Sequence, residues 1–373
     1  MNVIFTCGGT GGHINPAIAL ANTLRSRDPN CSILFVGCVG EMEEQLVPKA
    51  GYEIRCLPGS RFFRQLSLKN IKRNVQGVGK IVSALNGARK IIRDFKPDVI
   101  VGTGGYASFP ALFMGARMGI PTCVHEANAV PGLATRLAAG SADRILVNFA
   151  ESGKAYKQQS KVTCVGMPVR SEFLYTKRAD ARRELGLDER PLIVSAFGSL
   201  GAKAMNEVMA EFMKLETEKG LPYNHIHATG SYGWEWMPGL LKSKGVDLDN
   251  GSIDMREYIY NMPTLMAAAD VFISRAGASS CNEIAVSGTP CILIPSPNVT
   301  DNHQEKNARI MERRGGCVLL LERECTGQRL YEEVQALLND AEKRAAMRRA
   351  LMESSMPDSA DRICDIICQL ANH

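Results

Sequence analysis

The chain reads as an α/β protein of two doubly wound, Rossmann-like domains in series, facing a shared cleft. Three observations lead there. Short apolar runs of strand length alternate with helical stretches of roughly 10–15 residues, the pattern of βαβ units and a parallel sheet. Small-residue turns follow several of those runs, at Gly8 to His13, Gly102 to Ser108, Phe197 to Gly201 and Arg275 to Glu283. The alternation breaks at Gly166-Met167-Pro168-Val169-Arg170 and then restarts. A length of 373 residues suits two domains, at roughly 150 residues each. The boundaries fall at 1–165, completed by a C-terminal helix over 357–373, and 166–356.

In the first half, Val3 to Cys7 is expected as a strand, and a helix from about Pro16 to Ser26 follows the turn Gly8-Gly9-Thr10-Gly11-Gly12-His13. Strands at Ser32 to Gly37 and Tyr52 to Leu57 flank a helix over Glu41 to Lys49. A long helix ends near Phe95, and a strand over Asp98 to Gly102 leads into Thr103-Gly104-Gly105-Tyr106-Ala107-Ser108 and a helix to about Met118. Pro121 to Val124 is the next strand, and His125-Glu126-Ala127-Asn128 leads toward a further helix. Strands at Arg144 to Val147 and Val162 to Val165 close this half. In the second half, strands are expected at Leu192 to Ala196, His225 to Thr229, Ile253 to Tyr258, Val271 to Ser274, Cys291 to Pro295 and Cys317 to Leu321. A helix over Ala202 to Lys219 follows the first, and Pro357 separates the last helix, Asp358 to Leu370. In such sheets ligands sit at the carboxyl ends of the strands. Each turn named above lies at such an end.

Composition narrows the class. The apolar fraction is 45%, that of a globular protein. Twelve cysteines carry no Cys-x-x-Cys pair, and Cys7, Cys31, Cys56, Cys123 and Cys291 lie in or beside apolar runs, which indicates reduced, buried thiols in the cytosol rather than a disulfide frame. Cys364 and Cys368 share one helix face and read as packing. The N-terminus enters a strand at once, so no signal peptide is expected. No apolar run approaches the roughly 20 residues that span a bilayer.

The stretch Arg275 to Glu283 is a strand exit, a small-residue turn and a helix start. Ser279 or Ser280 is expected to cap the helix, and the unpaired N–H groups of its first turn suit a phosphate. Glu283, one turn in, can accept hydrogen bonds from ribose hydroxyls. Gly8 to His13 does not fit a nicotinamide fingerprint, because Ile14 stands at the sixth position and Val36-Gly37-Cys38 ends the second strand where an acidic residue belongs. Nor is it a P-loop, since no Gly-Lys-Ser/Thr follows. It remains a nest of N–H groups ahead of a helix, and Gly102 to Ser108 is another in the same sheet. Phe197-Gly198-Ser199 with Ala278 to Glu283 is a second phosphate-and-ribose constellation, to which Asp301-Asn302-His303-Gln304 adds polar reach. A nucleotide in one domain and a phosphorylated acceptor in the other is the layout of a group-transfer enzyme.

Gly-Gly-Thr-Gly-Gly-His, Gly-Thr-Gly-Gly-Tyr-Ala-Ser, His-Glu-x-Asn, Pro-Val-Arg, Gly-Ser-x-Gly-Ala, Ser-Arg-Ala-Gly-Ala with Glu283, and Asp-Asn-His-Gln occur here in one order. That ordered set, spanning nearly the whole chain, resembles the MurG family of glycosyltransferases, which add N-acetylglucosamine to lipid I in peptidoglycan and cell wall synthesis. The resemblance implies a GT-B fold, a UDP-N-acetylglucosamine donor, inversion at the sugar, lipid II as product, and no metal or other cofactor. It implies donor contacts at Thr10, Gly11, Gly12, Asn128, Arg170, Ser199, Ile259, Ala278, Ser279, Ser280, Cys281, Asn282, Glu283 and Gln304. Gly9, Gly104, Gly105 and Tyr106 are expected around the acceptor diphosphate. The chain departs from the family pattern at Met167 for Asn, Leu200 for Gln and Ala127 for Gln. Main-chain phosphate sites are untouched by these changes.

An inverting transfer needs a base for the acceptor hydroxyl and stabilisation of the departing diphosphate. His13, at a helix start whose dipole disfavours the imidazolium, is the first candidate base, and Glu126 is the second. Each also has a structural alternative, phosphate binding or capping for His13 and loop hydrogen bonding for Glu126. Arg170 and the Ser279 helix start suit the leaving UDP. His225-Ile226-His227 has metal-like spacing but reads as two side chains on one strand face with no third ligand. Asp247-Leu248-Asp249 lies in a polar loop and reads as coincidence.

The net charge of +5 is uneven: residues 54–93 hold ten Lys or Arg and no Asp or Glu, so the remaining 333 residues sum to −5. Within Arg61 to Arg73, Phe62, Phe63, Leu66, Leu68 and Ile71 interleave with cations. A solvated helix face or nucleic acid binding are alternatives, but no nucleic-acid motif accompanies the window. Docking to an anionic membrane surface fits best, which puts a peripheral enzyme on the cytoplasmic side of the cell membrane. Other readings within reach are a transferase acting on a different lipid or small-molecule acceptor, a UDP-N-acetylglucosamine epimerase, and a non-catalytic nucleotide-sugar binder.

Overall fold

The computed structural model describes residues 1–59, 68–220, 223–249 and 251–372, with main chain only over 68–78. It divides into two compact units, Met1–Val169 with Met356–His373, and Arg170–Ser355. The window Arg61 to Arg73 lies largely outside the described residues.

In the first unit, β1 (Asn2–Thr6), β2 (Ser32–Cys38), β3 (Glu53–Leu57), β4 (Val99–Gly102), β5 (Thr122–Glu126), β6 (Arg144–Val147) and β7 (Val162–Cys164) form one sheet in the order β3-β2-β1-β4-β5-β6-β7. Every pairing is parallel. Period-two alternation shows in β1: Val3 and Phe5 join one buried cluster, and Ile4 joins the other. The first cluster packs the helices Gly11–Arg27 and Ser359–Ala371 against one face, and Phe5 and Phe35 stack there at 5.5 Å. The second packs Ala84, Ala88, Ile91 and Ile92 of the helix Leu68–Phe95, and Ala111 and Leu112 of the helix Ser108–Arg117, against the other. The C-terminal helix is thus a structural part of the first unit. Ile363, Cys364 and Ile367 bury its inner face, and Arg27 reaches Asp361 at 2.6 Å and Asp365 at 2.7 Å across its outer one.

In the second unit, β8 (Leu192–Ala196), β9 (Asn224–Ala228), β10 (Ile253–Arg256), β11 (Val271–Ser274), β12 (Cys291–Leu293) and β13 (Val318–Leu319) run in the order β10-β9-β8-β11-β12-β13, again all parallel. Both sheets therefore reverse direction at equivalent places, between β1 and β4 and between β8 and β11. These are the topological switch points where doubly wound sheets bind ligands.

Two helix starts differ from expectation. The first helix begins at Gly11, and Pro16 is its sixth residue. Glycine has poor helix propensity and proline favours a first turn, so local signals pointed five residues late. Tertiary contacts override them, among them Thr103 Oγ1 donating to the His13 carbonyl at 2.7 Å. The helix Ala278–Ser287 is capped by Gly277, whose φ of −65° and ψ of 148° are extended, with no side-chain cap. Ser279 and Ser280 therefore lie inside the first turn rather than at its cap, and Gly288 ends the helix in the left-handed region at φ 61°.

The core of the second unit holds a polar relay. Ser195 Oγ lies 2.8 Å from His225 Nε2 and 2.7 Å from His227 Nδ1, and Glu216 Oε2 lies 2.9 Å from His225 Nδ1. All four side chains are buried. Among the described residues no group of three metal-ligating side chains forms around the two histidines; Glu216, from the helix Lys203–Glu218, instead hydrogen-bonds the Nδ1 of His225.

Burial holds the His227 imidazole down at about 3, against an ordinary 6.5. Between these values the unfolded chain binds a proton that the folded chain refuses, so stability rises with pH there and is lost as pH falls from about 6.5 toward 3. Glu216 acts in the opposite sense, since burial raises its carboxyl while His225 pulls it back. The difference between wild type and His227→Gln isolates the imidazole. The wild-type advantage should shrink by about 1.4 kcal/mol per pH unit on acidification. Urea unfolding followed by tryptophan fluorescence reports this unit, because the chain's 2 tryptophans, Trp234 and Trp236, both lie in it. A pH-independent difference would refute the assignment.

Candidate active site

In the first unit the turns after β1 and β4 are packed backbone against backbone. Gly105 has φ 83°, and a Cβ there would stand 2.2 Å from the Gly8 carbonyl oxygen. Thr6 Oγ1 donates to the Ala107 carbonyl at 3.2 Å and Ser108 Oγ to the Thr6 carbonyl at 2.9 Å, which ties the same two turns together. His13 is held between them. Its Nδ1 lies 3.0 Å from the Gly8 carbonyl and 3.3 Å from Thr10 Oγ1. A carbonyl only accepts, so Nδ1 carries the hydrogen and Nε2 presents the lone pair. The ring lies against Gly104, where an added Cβ would be 2.7 Å from His13 Cδ2. The N–H groups of Gly11 and Gly12 begin the helix and have no intrahelical acceptor.

A residue the sequence did not single out organises this turn from behind. Glu43 is fully buried, and accepts from the Gly9 N–H at 3.0 Å and the Cys38 N–H at 2.9 Å. Gly8 and Gly37 make room for it, since a Cβ on either would meet its side chain at 2.4 or 2.5 Å. The Gly9 amide, expected beside the acceptor diphosphate, is therefore already occupied. Glu41, Glu43 and Glu44 look alike in the sequence, and only the void left by two glycines tells which one turns inward.

At the end of β5, Glu126 is also buried. One oxygen accepts from the Asn128 N–H at 2.9 Å and the other from the Gly132 N–H at 3.0 Å, so the carboxylate shapes the loop over 127–132. Asn128 Nδ2 lies 3.4 Å from the same carboxylate. His125 donates from Nε2 to the Gly166 carbonyl at 2.7 Å, and burial lowers its imidazole, with His13 close enough to add to that effect. Tyr106 lies over Gly9 and Gly59, where added Cβ atoms would each touch its ring at 3.5 Å.

The second unit repeats the arrangement. Gly201 (φ 78°), in the turn after β8, packs on the turn after β9, where its Cβ would stand 2.0 Å from the Thr229 carbonyl. Ser199 lies in that β8 turn, and its carbonyl accepts from the Ser231 N–H at 3.3 Å. After β11, buried Asn307 donates to the Ala276 carbonyl at 3.1 Å and fixes the turn before Ala278. Cys281 is the first residue to donate back, to Gly277 at 2.9 Å. The N–H groups of Ala278, Ser279 and Ser280 precede it and have no intrahelical acceptor. Buried Cys281, its thiol pushed up to about 12 by burial, and Ala278 can offer only main chain, and Asn282 turns its amide back onto the Ala278 carbonyl at 2.8 Å. Half-buried Glu283 has its carboxyl raised by desolvation, opposed by the Arg170 guanidinium. Arg170 itself sits 5.2 Å over the Phe173 ring. Ile259 is buried between two exposed tyrosines, Tyr258 and Tyr260, packed edge to face at 4.8 Å. Gln304 Oε1 accepts from the Ser296 N–H at 2.9 Å. Phe197, Lys203, Arg275, Ser296, Gln304 and Glu322 line an open concavity of about 410 Å³.

Comparison with known proteins decides the family. Residues 3–147 match the glycosyltransferase family 28 N-terminal domain and residues 192–363 its C-terminal domain. The chain belongs to glycosyltransferase family 28. Its relatives within family 28 include a UDP-N-acetylglucosamine–N-acetylmuramyl-(pentapeptide) pyrophosphoryl-undecaprenol N-acetylglucosamine transferase of Acetivibrio thermocellus, 40% identical over 98% of this chain and 97% of that one. A transferase of the same name from Desulforudis audaxviator is 39% identical over 100% and 99%. The crystal structure of Acinetobacter baumannii MurG superimposes with a TM-score of 0.76 at 25% identity, covering 99% of both chains. A UDP-GlcNAc 2-epimerase from Neisseria meningitidis bound to UDP-GlcNAc gives 0.65 at 14% identity over 99% and 100%, which shows a shared fold alone. Family 28 thus accounts for the two parallel-sheet domains, a GT-B fold, and for glycosyl transfer as the activity. Of the three departures from the MurG motifs, Ala127 and Met167 are buried and Leu200 is exposed.

The glycine contacts give a sharp contrast. Gly105→Ala must displace the Gly8 carbonyl, so it should cost more than about 4 kcal/mol or abolish soluble expression. Gly40→Ala sits at φ 76° with no neighbour within 4 Å and should cost only the backbone strain, about 1–2 kcal/mol. Thermal unfolding of both variants checks the ordering, and equal losses would contradict it.

Proposed function

We propose that the chain transfers N-acetylglucosamine from UDP-N-acetylglucosamine to the muramoyl 4-hydroxyl of lipid I, with inversion, giving lipid II and UDP. The observation that carries this is the full-length match to transferases whose names state that donor sugar and that acceptor. The donor is assigned to the second unit. There the open N–H groups of Ala278, Ser279 and Ser280 and the guanidinium of Arg170 would meet the diphosphate. Glu283, desolvated and short of partners for its charge, would take the ribose hydroxyls. Main chain at Ser199 and Ile259 and the amide of Gln304 complete the donor contacts. The acceptor diphosphate is assigned to the first unit, at Gly104, Gly105 and Tyr106, and Thr10, Gly11, Gly12 and Asn128 of that unit are assigned to the substrate as well.

The acceptor oxygen attacks the anomeric carbon, the bond to the β-phosphate oxygen breaks, and UDP leaves with the electron pair. The hydroxyl proton passes to His13 Nε2, whose lone pair is set by the hydrogen bond at Nδ1. Glu126 is the weaker candidate, because both of its oxygens already accept main-chain N–H groups that shape its loop. Arg170 and the helix start supply positive charge where UDP develops negative charge.

With radiolabelled UDP-N-acetylglucosamine and a lipid I analogue, His13→Ala should lower kcat at least about 100-fold while UDP still binds within about threefold. Unchanged turnover removes His13 as base. Release of UDP-N-acetylmannosamine in place of transfer would mark an epimerase.

We infer further that the enzyme works at the cytoplasmic face of the membrane, docked through Arg61 to Arg73. The support is the sequence of that window and the lipid-linked acceptor. Among the described residues no helix is long and apolar enough to cross a membrane. Vesicles containing phosphatidylglycerol should float the wild type but not a variant with Phe62, Phe63, Arg64, Lys72 and Arg73 replaced by serine. Equal flotation of the two would reject the dock.

A further inference from the structure

The relay of Glu216, His225, Ser195 and His227 has the spacing of a nucleophile, its base and an orienting carboxylate. Yet Ser195 is fully buried in β8, so no substrate can reach it. Its consequence lies one step further along. The His227 ring stands 6.3 Å from the Phe197 ring, and the Arg275 guanidinium lies 5.8 Å over that same ring. Arg275 then donates to the Ile294 carbonyl at 3.1 Å and pairs with Glu322 at 2.5 Å. A contact chain runs from the core through an aromatic ring to a cation in the wall of the concavity that Lys203 and Gln304 share.

We infer that Ser195 is a positioning residue for the donor pocket, because it fixes His227 under Phe197 and through that ring sets the place of Arg275. Ser195 has one proton and two imidazole neighbours. The proton serves one ring, and the oxygen lone pair receives the N–H of the other, so both rings are held in either polarity of the relay. An alanine leaves the buried His225 Nε2 without that partner and takes from His227 Nδ1 the hydroxyl that aligns it, leaving only main chain at position 195. His227 can then turn, since its Nε2 has no hydrogen-bond partner among the described residues to hold its far side. Phe197 follows in Gly198's turn, where φ is 98° and no atom stands within 4 Å of an added Cβ. The inference rests on the assignment of the donor to the second unit.

Steady-state kinetics on the whole chain separates positioning from mere stability. Ser195→Ala should raise KM for UDP-N-acetylglucosamine and the dissociation constant of UDP together, about fivefold, with kcat within about twofold. Ser195→Thr, which keeps the hydroxyl, should restore both. His227→Asn keeps a donor toward Ser195 but removes the ring beneath Phe197, so it should raise KM as Ser195→Ala does, and it carries the test should the alanine variant fail to fold. Val334→Ala, a fully buried change elsewhere in the same unit, should lower the melting temperature and leave KM alone. Wild-type KM in both relay variants overturns the inference, as does an equal KM rise in Val334→Ala at matched loss of stability. A wild-type chain that fails to bind UDP overturns the donor assignment itself, and the inference with it.

Discussion

Each unit depends on one close approach of two backbones. In the first, the Gly8 carbonyl occupies the space that any Gly105 side chain would need, and in the second the Thr229 carbonyl does the same to Gly201. The first contact lies at the β1–β4 switch point, and the second brings the turn after β8 against the turn after β9. Such contacts hold the turns close together, beside the N–H groups of Gly11, Gly12, Ala278, Ser279 and Ser280, an array without intrahelical acceptors. An anion meeting that array finds donors already oriented, so little of the binding free energy is lost in ordering them. The doubly wound topology explains where the array sits, and the glycines explain how tight it is.

Two buried carboxylates then act as scaffolding. Glu43 and Glu126 each accept two main-chain N–H groups and spend their hydrogen-bonding capacity on holding loops. This use of acids has a chemical corollary. A carboxylate whose two oxygens both accept main-chain N–H groups is fixed in place and has little capacity left for a substrate. The imidazole of His13 is oriented by the Gly8 carbonyl at Nδ1. The division of roles between acid and imidazole in the first unit follows from what each side chain is bonded to.

Most strands, their order of appearance and the break between the halves were legible in the sequence, because buried parallel strands are short apolar runs bounded by turns. Three of the four turns were legible because their glycines, Gly9, Gly104, Gly105, Gly198 and Gly201, sit at positive φ; the fourth, at Gly277, is extended and was marked only by its small residues. What the sequence concealed was tertiary. The start of the first helix is set by packing that overrides two glycines and a proline. The cap at Gly277 uses main chain, so no side chain advertised it. Glu43 is one of three acids in four residues, distinguished only by the cavity that Gly8 and Gly37 leave. Glu216 and Ser195 meet His225 and His227 from different elements, and their distance in sequence, 30 residues or more from Ser195 to either imidazole, hides the relay from any local reading.

The residues at which this chain departs from the family pattern fit the same logic. Ala127 and Met167 are buried apolar side chains and Leu200 is exposed on the turn after β8. The main-chain donors around them are unaffected, because carbonyl packing and glycine geometry place them rather than neighbouring side chains. The proposed recognition of a diphosphate through amides is indifferent to such drift. It is sensitive instead to whatever moves the turns. That shifts the vulnerable positions inward, from the pocket surface to the groups behind it: Glu43 and Gly105 in the first unit, Asn307 and the relay beneath Phe197 in the second.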